Sequence, residues 1–458
     1  MKLTITLITL FLSSLSFSQD SLAKRVTFLF VGDVMQHGGQ IAGAYNAKKD
    51  SYDYRDCFQF VKPIISGVDI ALANLEATHA GKPYKGYPQF SAPPELSEAL
   101  VDAGFDVIVT ANNHACDGGG KGVVGTLDQL DKLGVQHTGT FRSKTEREKN
   151  YPLMVEKNGL KIAVLNYTYG TNGLTVASPL IINYIDSTVM KADFRKAKML
   201  GADVIICTVH WGEEYKPLPN GYQKEWEAFC YREGADMVIG SHPHVLEPVE
   251  AKTIDGKDKL TAWSLGNFVS NQRDRYKDGG MMLGATVSED SSNLHITDVH
   301  HYFTWVFPRQ EAVVKPYYIL PEYDYNAVRP GFIDAVSLEQ MKLFFSDSKQ
   351  LFNQHSKGTV HYDGIVDRSV TDEYELLLKG YYALEYTLPA GKDWKKLDAP
   401  GKTYFHKVLA EDGDYHLVAG MCSSVEQVTG IAKTLETENY LDPKIVFISP
   451  NAYKIISE

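Results

Sequence analysis

Five short apolar runs along the chain each end in a cluster of Asp, Glu, Asn or His. Val26–Val31 leads into Gly32-Asp33, Val68–Ala73 into Asn74-Leu75-Glu76, and Val107–Thr110 into Asn112-Asn113-His114. Val204–Val209 leads into His210-Trp211, and Asp236–Gly240 into Ser241-His242-Pro243-His244-Val245. Apolar runs of this length with abrupt polar ends read as buried strands. Between them, Pro94–Ala103, Gly122–Leu133, Met190–Leu200 and Gln223–Glu233 carry the i, i+3, i+4 apolar spacing of helices. Pro93-Pro94 and Gly118-Gly119-Gly120 punctuate helix starts. Such alternation predicts an α/β domain. Ligand-type residues at successive strand ends predict an active site along one edge of its sheet.

The texture changes further on. Met282–Val287 and Leu294–Val299 predict strands that close the main domain by about residue 320. Leu338–Gln354 looks helical within an extension spanning 321–401, whose end, Pro389–Lys402, holds two prolines and two glycines and reads as a linker. The tail, 402–458, reads strand, helix, strand, strand: Asp414–Gly420, a helix opened by Ser423-Ser424 and running to about Glu438, then Lys444–Ile448 and Ala452–Ile456. This pattern resembles a SPOR repeat, a small α+β, ferredoxin-like module that binds cell wall. That resemblance implies peptidoglycan contact through the tail.

His242 and His244, spaced i, i+2 just past a strand, can turn two imidazoles toward one point, as a metal site requires. Metals that activate water need carboxylate, imidazole and amide oxygen, and the other strand ends supply them. The ordered set GDVM (32–35), NLE (74–76), NNHACD (112–117), HWGEEY (210–215), GSHPH (240–244) and SLGNF (264–268) resembles the CapA family of poly-γ-glutamate capsule proteins, over about residues 25–270. The resemblance implies a metallophosphoesterase-like sandwich of four layers, α/β/β/α, with one or two divalent ions (Mn, Zn, Fe or Mg) at the sheet edges. It assigns Asp33, Glu76, Asn113, His210, His242 and His244 to metal, Glu76 as a bridge. His114 becomes the general acid, with Asp117 fixing its tautomer. Asn74, Asn112, Trp211, Glu214 and Asn267 are expected around these, Asn74 orienting Glu76, Trp211 walling the pocket and Glu214 touching substrate. One departure stands out. Related phosphoesterases carry Asp-x-His in the first motif, whereas here Asp33 is followed by Val34-Met35, and His37 is the nearest substitute.

Composition narrows the role. Residues 1–18 carry Lys2, a short apolar stretch and small residues before Gln19, which predicts a secretory signal peptide and a periplasmic or secreted protein. No later stretch is long and apolar enough to predict an integral membrane segment. A net charge of −11 argues against nucleic acid but not against an anionic substrate, because a bound dication can reverse the local field. The expected partner is an anionic surface polymer or cell-wall glycopeptide. The five cysteines imply no disulfide framework, and Cys116 lies close enough to the Asn-Asn-His motif to be weighed as a ligand. Among 27 tyrosines, Tyr84, Tyr87, Tyr167, Tyr169 and Tyr215 sit near motifs and could line a groove. No P-loop, dinucleotide fingerprint or serine elbow is present in the sequence. The leading expectation is a metal-dependent hydrolase. The rival is a polymer-binding or assembly factor with a structural or vestigial metal site.

Overall fold

The computed structural model of the protein describes residues 24–290, 293–308, 317–323 and 333–362 and, in the tail, strands at 381–386, 405–409, 415–422, 444–449 and 452–457 with a few residues near 424–429. The expected signal peptide, the linker 389–402 and most of the tail helix lie outside the described residues.

All five runs form strands, and they divide between two sheets. Arg25–Val34, Ile70–Leu75, Val107–Val109 and Gln136–Thr138 lie side by side and parallel in the first. Gly279–Asp290, Asn293–Phe307 and Tyr318–Pro321 extend it antiparallel beyond Arg25–Val34. In the second sheet Leu160–Thr168, Val204–His210, Met237–Ser241 and Lys257–Ala262 run parallel, with antiparallel Leu153–Lys157 and Val249–Ile254 at the edges.

Strand periodicity of two explains the layering. Ile162, Val164, Val204, Ile206, Met237 and Ile239 point one way, into the same core as Phe28, Phe30, Leu72 and Met282 of the first sheet. Their neighbours Ala163, Leu165, Ile205, Cys207 and Val238 point the other way, onto Met190, Phe194, Phe229 and Cys230 of helices Ser187–Met199 and Gly221–Glu233. Helices Arg55–Phe58, Lys62–Ile65 and Glu95–Ala103 contribute Phe58, Ile65, Leu96 and Leu100 to the first sheet's core. The sandwich is therefore mixed α/β in four layers. The central strands are covered on both faces, which is why their apolar runs are continuous rather than alternating.

Two elements refine the sequence reading. Helix Ala335–His355 packs Met341, Phe344, Phe345 and Phe352 into the main core, so it belongs to the sandwich rather than to a separate extension. In the tail, Tyr381–Tyr386 lies between Tyr415–Cys422 and Lys444–Ser449 in a five-stranded antiparallel sheet. The tail module thus begins well before residue 402. The Leu- and Tyr-rich stretch around 374–386 carries no signal separating helix from strand at that length, and only the pairing decides it.

Candidate metal centre

Two parallel bundles of strands place their C-terminal ends at one edge, and the ligand-type residues meet there. Asp33 closes the first strand and Glu76 follows the second, while Asn112, Asn113 and His114 follow the third; His210 closes its strand in the opposite sheet, and His242 and His244 follow Ser241. The sheets are tied just behind the site by Asn166, whose Oδ1 accepts from the Ala111 backbone N–H at 2.7 Å. A close crossing sets Asp33. Its N–H donates to the Gly266 carbonyl at 2.9 Å, and a Cβ on Gly32 would lie 2.0 Å from that oxygen, so only glycine fits before the aspartate. The second-sheet strand stops at Ala262, and Asn267–Val269 pairs instead with Arg25–Val34, setting Asn267 in register with Asp33.

Every first-rank ligand is buried, and the polar groups interlock. His244 Nδ1 lies 3.0 Å from Asp33 Oδ2, and Asn74 Nδ2 donates to Asp33 Oδ1 at 2.9 Å. Asn112 Nδ2 donates to Asn74 Oδ1 at 3.1 Å and to the Leu75 carbonyl at 2.8 Å, while its Oδ1 accepts from the His114 N–H at 3.1 Å. His210 Nε2 sits 3.0 Å from Asn113 Oδ1, and its Nδ1 is 2.9 Å from Ser241 Oγ. Asn172 fixes the Asn113 amide from its other end, accepting from Nδ2 at 3.4 Å.

Glu76 is different. It is fully buried, yet neither of its carboxylate oxygens receives a hydrogen bond. Its nearest basic atoms, Nε2 of His210 and of His244, are both 3.7 Å from Oε1, beyond hydrogen-bond range. Bonds of about 2.0–2.2 Å to one cation put ligand atoms roughly 3–3.5 Å apart, close to this spacing. Two groups of potential ligands converge around it: Asp33, Glu76 and His244, and then Glu214, His242 and His244, the last shared. A buried, unpartnered carboxylate among imidazoles and amide oxygens fits a hard or borderline divalent ion.

Electrostatics agree with that donor set. Burial opposes ionisation of Asp33, but the His244 hydrogen bond and charge, with Asn74, hold its carboxyl below the usual range. Burial first and the Asp33 charge second push Glu76 well above its usual value. Burial, then His244, brings His242 down to about 3, and burial with neighbouring histidines holds His210 well below its usual value. His242 and His210 are thus neutral imidazoles with lone pairs available. His242 and His244 also hold strained backbones, with φ of 102° and 58°, a cost that residues in binding sites commonly carry.

The expected acid pair is present. His114 Nδ1 is 2.7 Å from Asp117 Oδ2, which also accepts from the Phe90 N–H at 2.6 Å. The Phe90 ring lies against His114, centroids 4.5 Å apart. Three expectations are not met in the anticipated form. Trp211 does not wall the pocket: it is fully buried beneath the second sheet, stacked on Trp263 at 5.8 Å and donating Nε1–H to the Trp263 carbonyl. The next residue on a strand faces the opposite side from His210, so it goes to the helix layer. Met35 is buried in the apolar core and offers no ligand. His37 does not replace it: its Nδ1 accepts from the Asn271 N–H at 3.3 Å and its ring packs on Phe90. Cys116 lies in a small apolar cluster with Val123 and Leu127. Ser241, Phe90 and Asn172 were not singled out from sequence. Asn172 had a usable signal, since it follows a sixth apolar run, Leu160–Thr168, in the same way as the others.

A buried set of carboxylates, amides and imidazoles at the meeting edges of two sheets defines a candidate divalent-metal centre on an α/β sandwich. The family described as Bacterial capsule synthesis protein PGA_cap matches residues 27–272, which span all of these ligands, and the chain belongs to that family. It is 31% identical over 260 residues to the PGA biosynthesis protein CapA of Bacillus subtilis (strain 168), covering 53% of this chain and 63% of that protein. It is 28% identical over 262 residues to the Capsule biosynthesis protein CapA of Bacillus anthracis, covering 54% and 61%. The chain therefore spans about three-fifths of the length of these relatives. Among solved structures it is similar to the NAD nucleotidase of Haemophilus influenzae (TM-score 0.38, 12% identity, 77% of this chain and 60% of that one). It is also similar to the 5'-nucleotidase of Candida albicans (TM-score 0.35, 12% identity, 71% and 57%).

Proposed function

We propose that this protein is an exported, divalent-metal-dependent hydrolase that acts on a surface polymer, either poly-γ-glutamate or cell-wall peptide. The observation that carries the proposal is Glu76, a fully buried carboxylate without a donor, facing two imidazoles and Asp33. A buried carboxyl that receives no donor and lies beside Asp33 is costly to ionise, and a cation offsets that cost. Asp33, Glu76 and His244 would hold one ion, with Asn113, His210, His242 and Glu214 placed for a second or for its substrate side. When bound, such an ion supplies Lewis acidity, polarising a substrate oxygen and lowering the pKa of water.

The chain's own residues do the rest. Asp117 accepts from His114 Nδ1, which leaves Nε2 of His114 as the atom that can hold a proton and release it to a leaving group. Phe90 covers one face of that imidazole and excludes water from it. Ser241 and Asn172 orient His210 and Asn113. Export and surface location accord with the expected signal peptide and with the family. Among the described residues, no helix is long and apolar enough to cross a membrane. A tail that binds peptidoglycan would hold the sandwich near its polymer.

The polymer-binding reading has one specific support: Met35 contributes no ligand where related phosphoesterases carry histidine. Elemental analysis of purified wild type and of His242→Ala/His244→Ala decides the first step. The wild type is expected to retain Mn or Zn and the double variant to lose most of it while staying folded. Equal metal content in both would remove these histidines from the site. Wild type without metal-dependent turnover of any ester or γ-glutamyl amide would leave the binding factor in place of the enzyme.

A further inference from the structure

Each histidine of the paired motif has a half-exposed tyrosine against it. Tyr169, 41% exposed, lies 4.6 Å from His242 between ring centroids, and Tyr215, 44% exposed, lies 6.2 Å from His244. Tyr215 is fixed at its backbone, with φ of 66° and its N–H donating to the Pro243 carbonyl at 2.7 Å. Over its ring, 4.2 Å from the centroid, sits the ammonium of Lys277. The loop bearing that lysine is tied to the metal edge by one residue. Asn267 Nδ2 donates to Gln272 Oε1 at 3.1 Å and to the Lys277 carbonyl at 2.8 Å, and Asn267 stands in register with Asp33. The only carboxylate paired with Lys277 among the described ion pairs belongs to Asp274, which is 82% exposed. The Lys277 side chain is itself only 18% exposed, so its ammonium is held in place while the exposed Asp274 carboxylate can be exchanged for another anion.

We propose that Lys277 and Tyr215 form a carboxylate-binding subsite at the mouth of the metal centre, which seats a side carboxylate of an anionic polymer beside the bond presented to His242 and His244. The proposal rests on the polymer reading above and names the group recognised. Asp33, Glu76 and Glu214 make this edge acidic, and the chain as a whole carries −11, so an anionic chain needs a fixed cation to align it. Lys277 supplies that cation already positioned, by the stacked ring beneath it and the Asn267 anchor behind it, which reduces the entropy lost when the anion docks. The tyrosines on the two histidines give the polymer backbone flat, partly apolar surfaces on either side.

The test uses the full chain loaded with Mn and measures equilibrium binding of poly-γ-glutamate of fixed length against its neutral methyl ester. Lys277→Gln is expected to weaken binding of the acid polymer by about tenfold, the scale of one charge-assisted contact. Ester binding and Mn stoichiometry should not change, and the salt dependence of acid-polymer binding should flatten. Lys277→Arg should retain most of the affinity. Equal binding by Lys277→Gln and wild type, no preference of wild type for the acid over the ester, or no binding of either would overturn the subsite. Turnover is scored separately. Lys277-dependent binding without turnover refutes the hydrolase and leaves the subsite standing; turnover indifferent to Lys277 does the reverse.

Discussion

At the scale of single residues, the proposed centre divides into candidate groups for holding a cation and candidate groups for moving a proton, and the two can be tested apart. His114→Asn should keep the metal, because Asn113 and not His114 is placed among the ligands. Turnover of an ester with a poor leaving group should then fall by about two to four orders of magnitude. An ester with a nitrophenolate leaving group should lose much less; equal losses on both would mean a collapsed site instead of a missing acid. Glu76 predicts how metal affinity depends on pH. Burial and Asp33 raise its pKa, so the metal-free protein holds a proton there that the ion must displace. His242, already down to about 3, is neutral at pH 5 and contributes no such release. Affinity for Mn should therefore rise with pH, up to about tenfold per unit for one proton displaced. Calorimetric titration in buffers of different ionisation enthalpy counts that proton directly. Glu76→Gln should bind Mn weakly and lose this proton release; an unchanged proton count in that variant would exclude Glu76 as its source. Most candidate ligands were legible from sequence, because they follow apolar runs. The supporting partners were not: nothing near Phe90 indicates that its N–H meets Asp117, 27 residues away.

At the scale of elements, the four helices read between the strands and the five first-read strands follow the periodicity closely. Departures come where pairing overrides local pattern. The segment after Ala262 leaves one sheet and joins the other, because Gly266 approaches Gly32 more closely than any side chain allows. Tyr381–Tyr386 is taken into the tail sheet as its central strand. A fragment of residues 402–458 would therefore lack the strand that both Tyr415–Cys422 and Lys444–Ser449 bond to. Its backbone groups would be left unpaired. That fragment is expected to stay unfolded by circular dichroism and amide dispersion, whereas one beginning at residue 374 should fold. Only the longer fragment should co-sediment with peptidoglycan; folding of the shorter one would show that the central strand is dispensable.

For the whole molecule, the candidate edge between the two sheets gathers buried carboxyls whose ionisation burial opposes. Glu247 is another case, fully buried just beyond the His-Pro-His turn, with Oε2 accepting from Gln223 Nε2 at 2.6 Å and Oε1 without a donor. Burial pushes its carboxyl up to about 8. The unfolded chain gives up this proton near 4.5 and the folded chain holds it until about 8, so stability from this group is lost as pH rises between those values. Below about 6.5 the histidines of the unfolded chain take up protons that buried ones such as His301, held near 3, refuse, which opposes the trend. The histidine effect fades above pH 6.5, so urea denaturation in EDTA at pH 6.5–8 should show this group lowering stability by at most about 1.4 kcal/mol per unit. Glu76 and Asp56, whose carboxyls burial also raises, add to the fall. Glu247→Gln should flatten that slope, and an unaltered slope would mean that Glu247 ionises freely in the folded state. From the sequence alone came the α/β class, the strand ends and the ligand chemistry, since hydrophobic periodicity and residue type are local and survive without neighbours. Which strands share a sheet, which side of a strand Trp211 faces, where the tail begins, and that Glu76 is left without a donor among two imidazoles were decided only by tertiary structure. Each depends on atoms far apart in the chain, and backbone pairing and burial are satisfied globally or not at all.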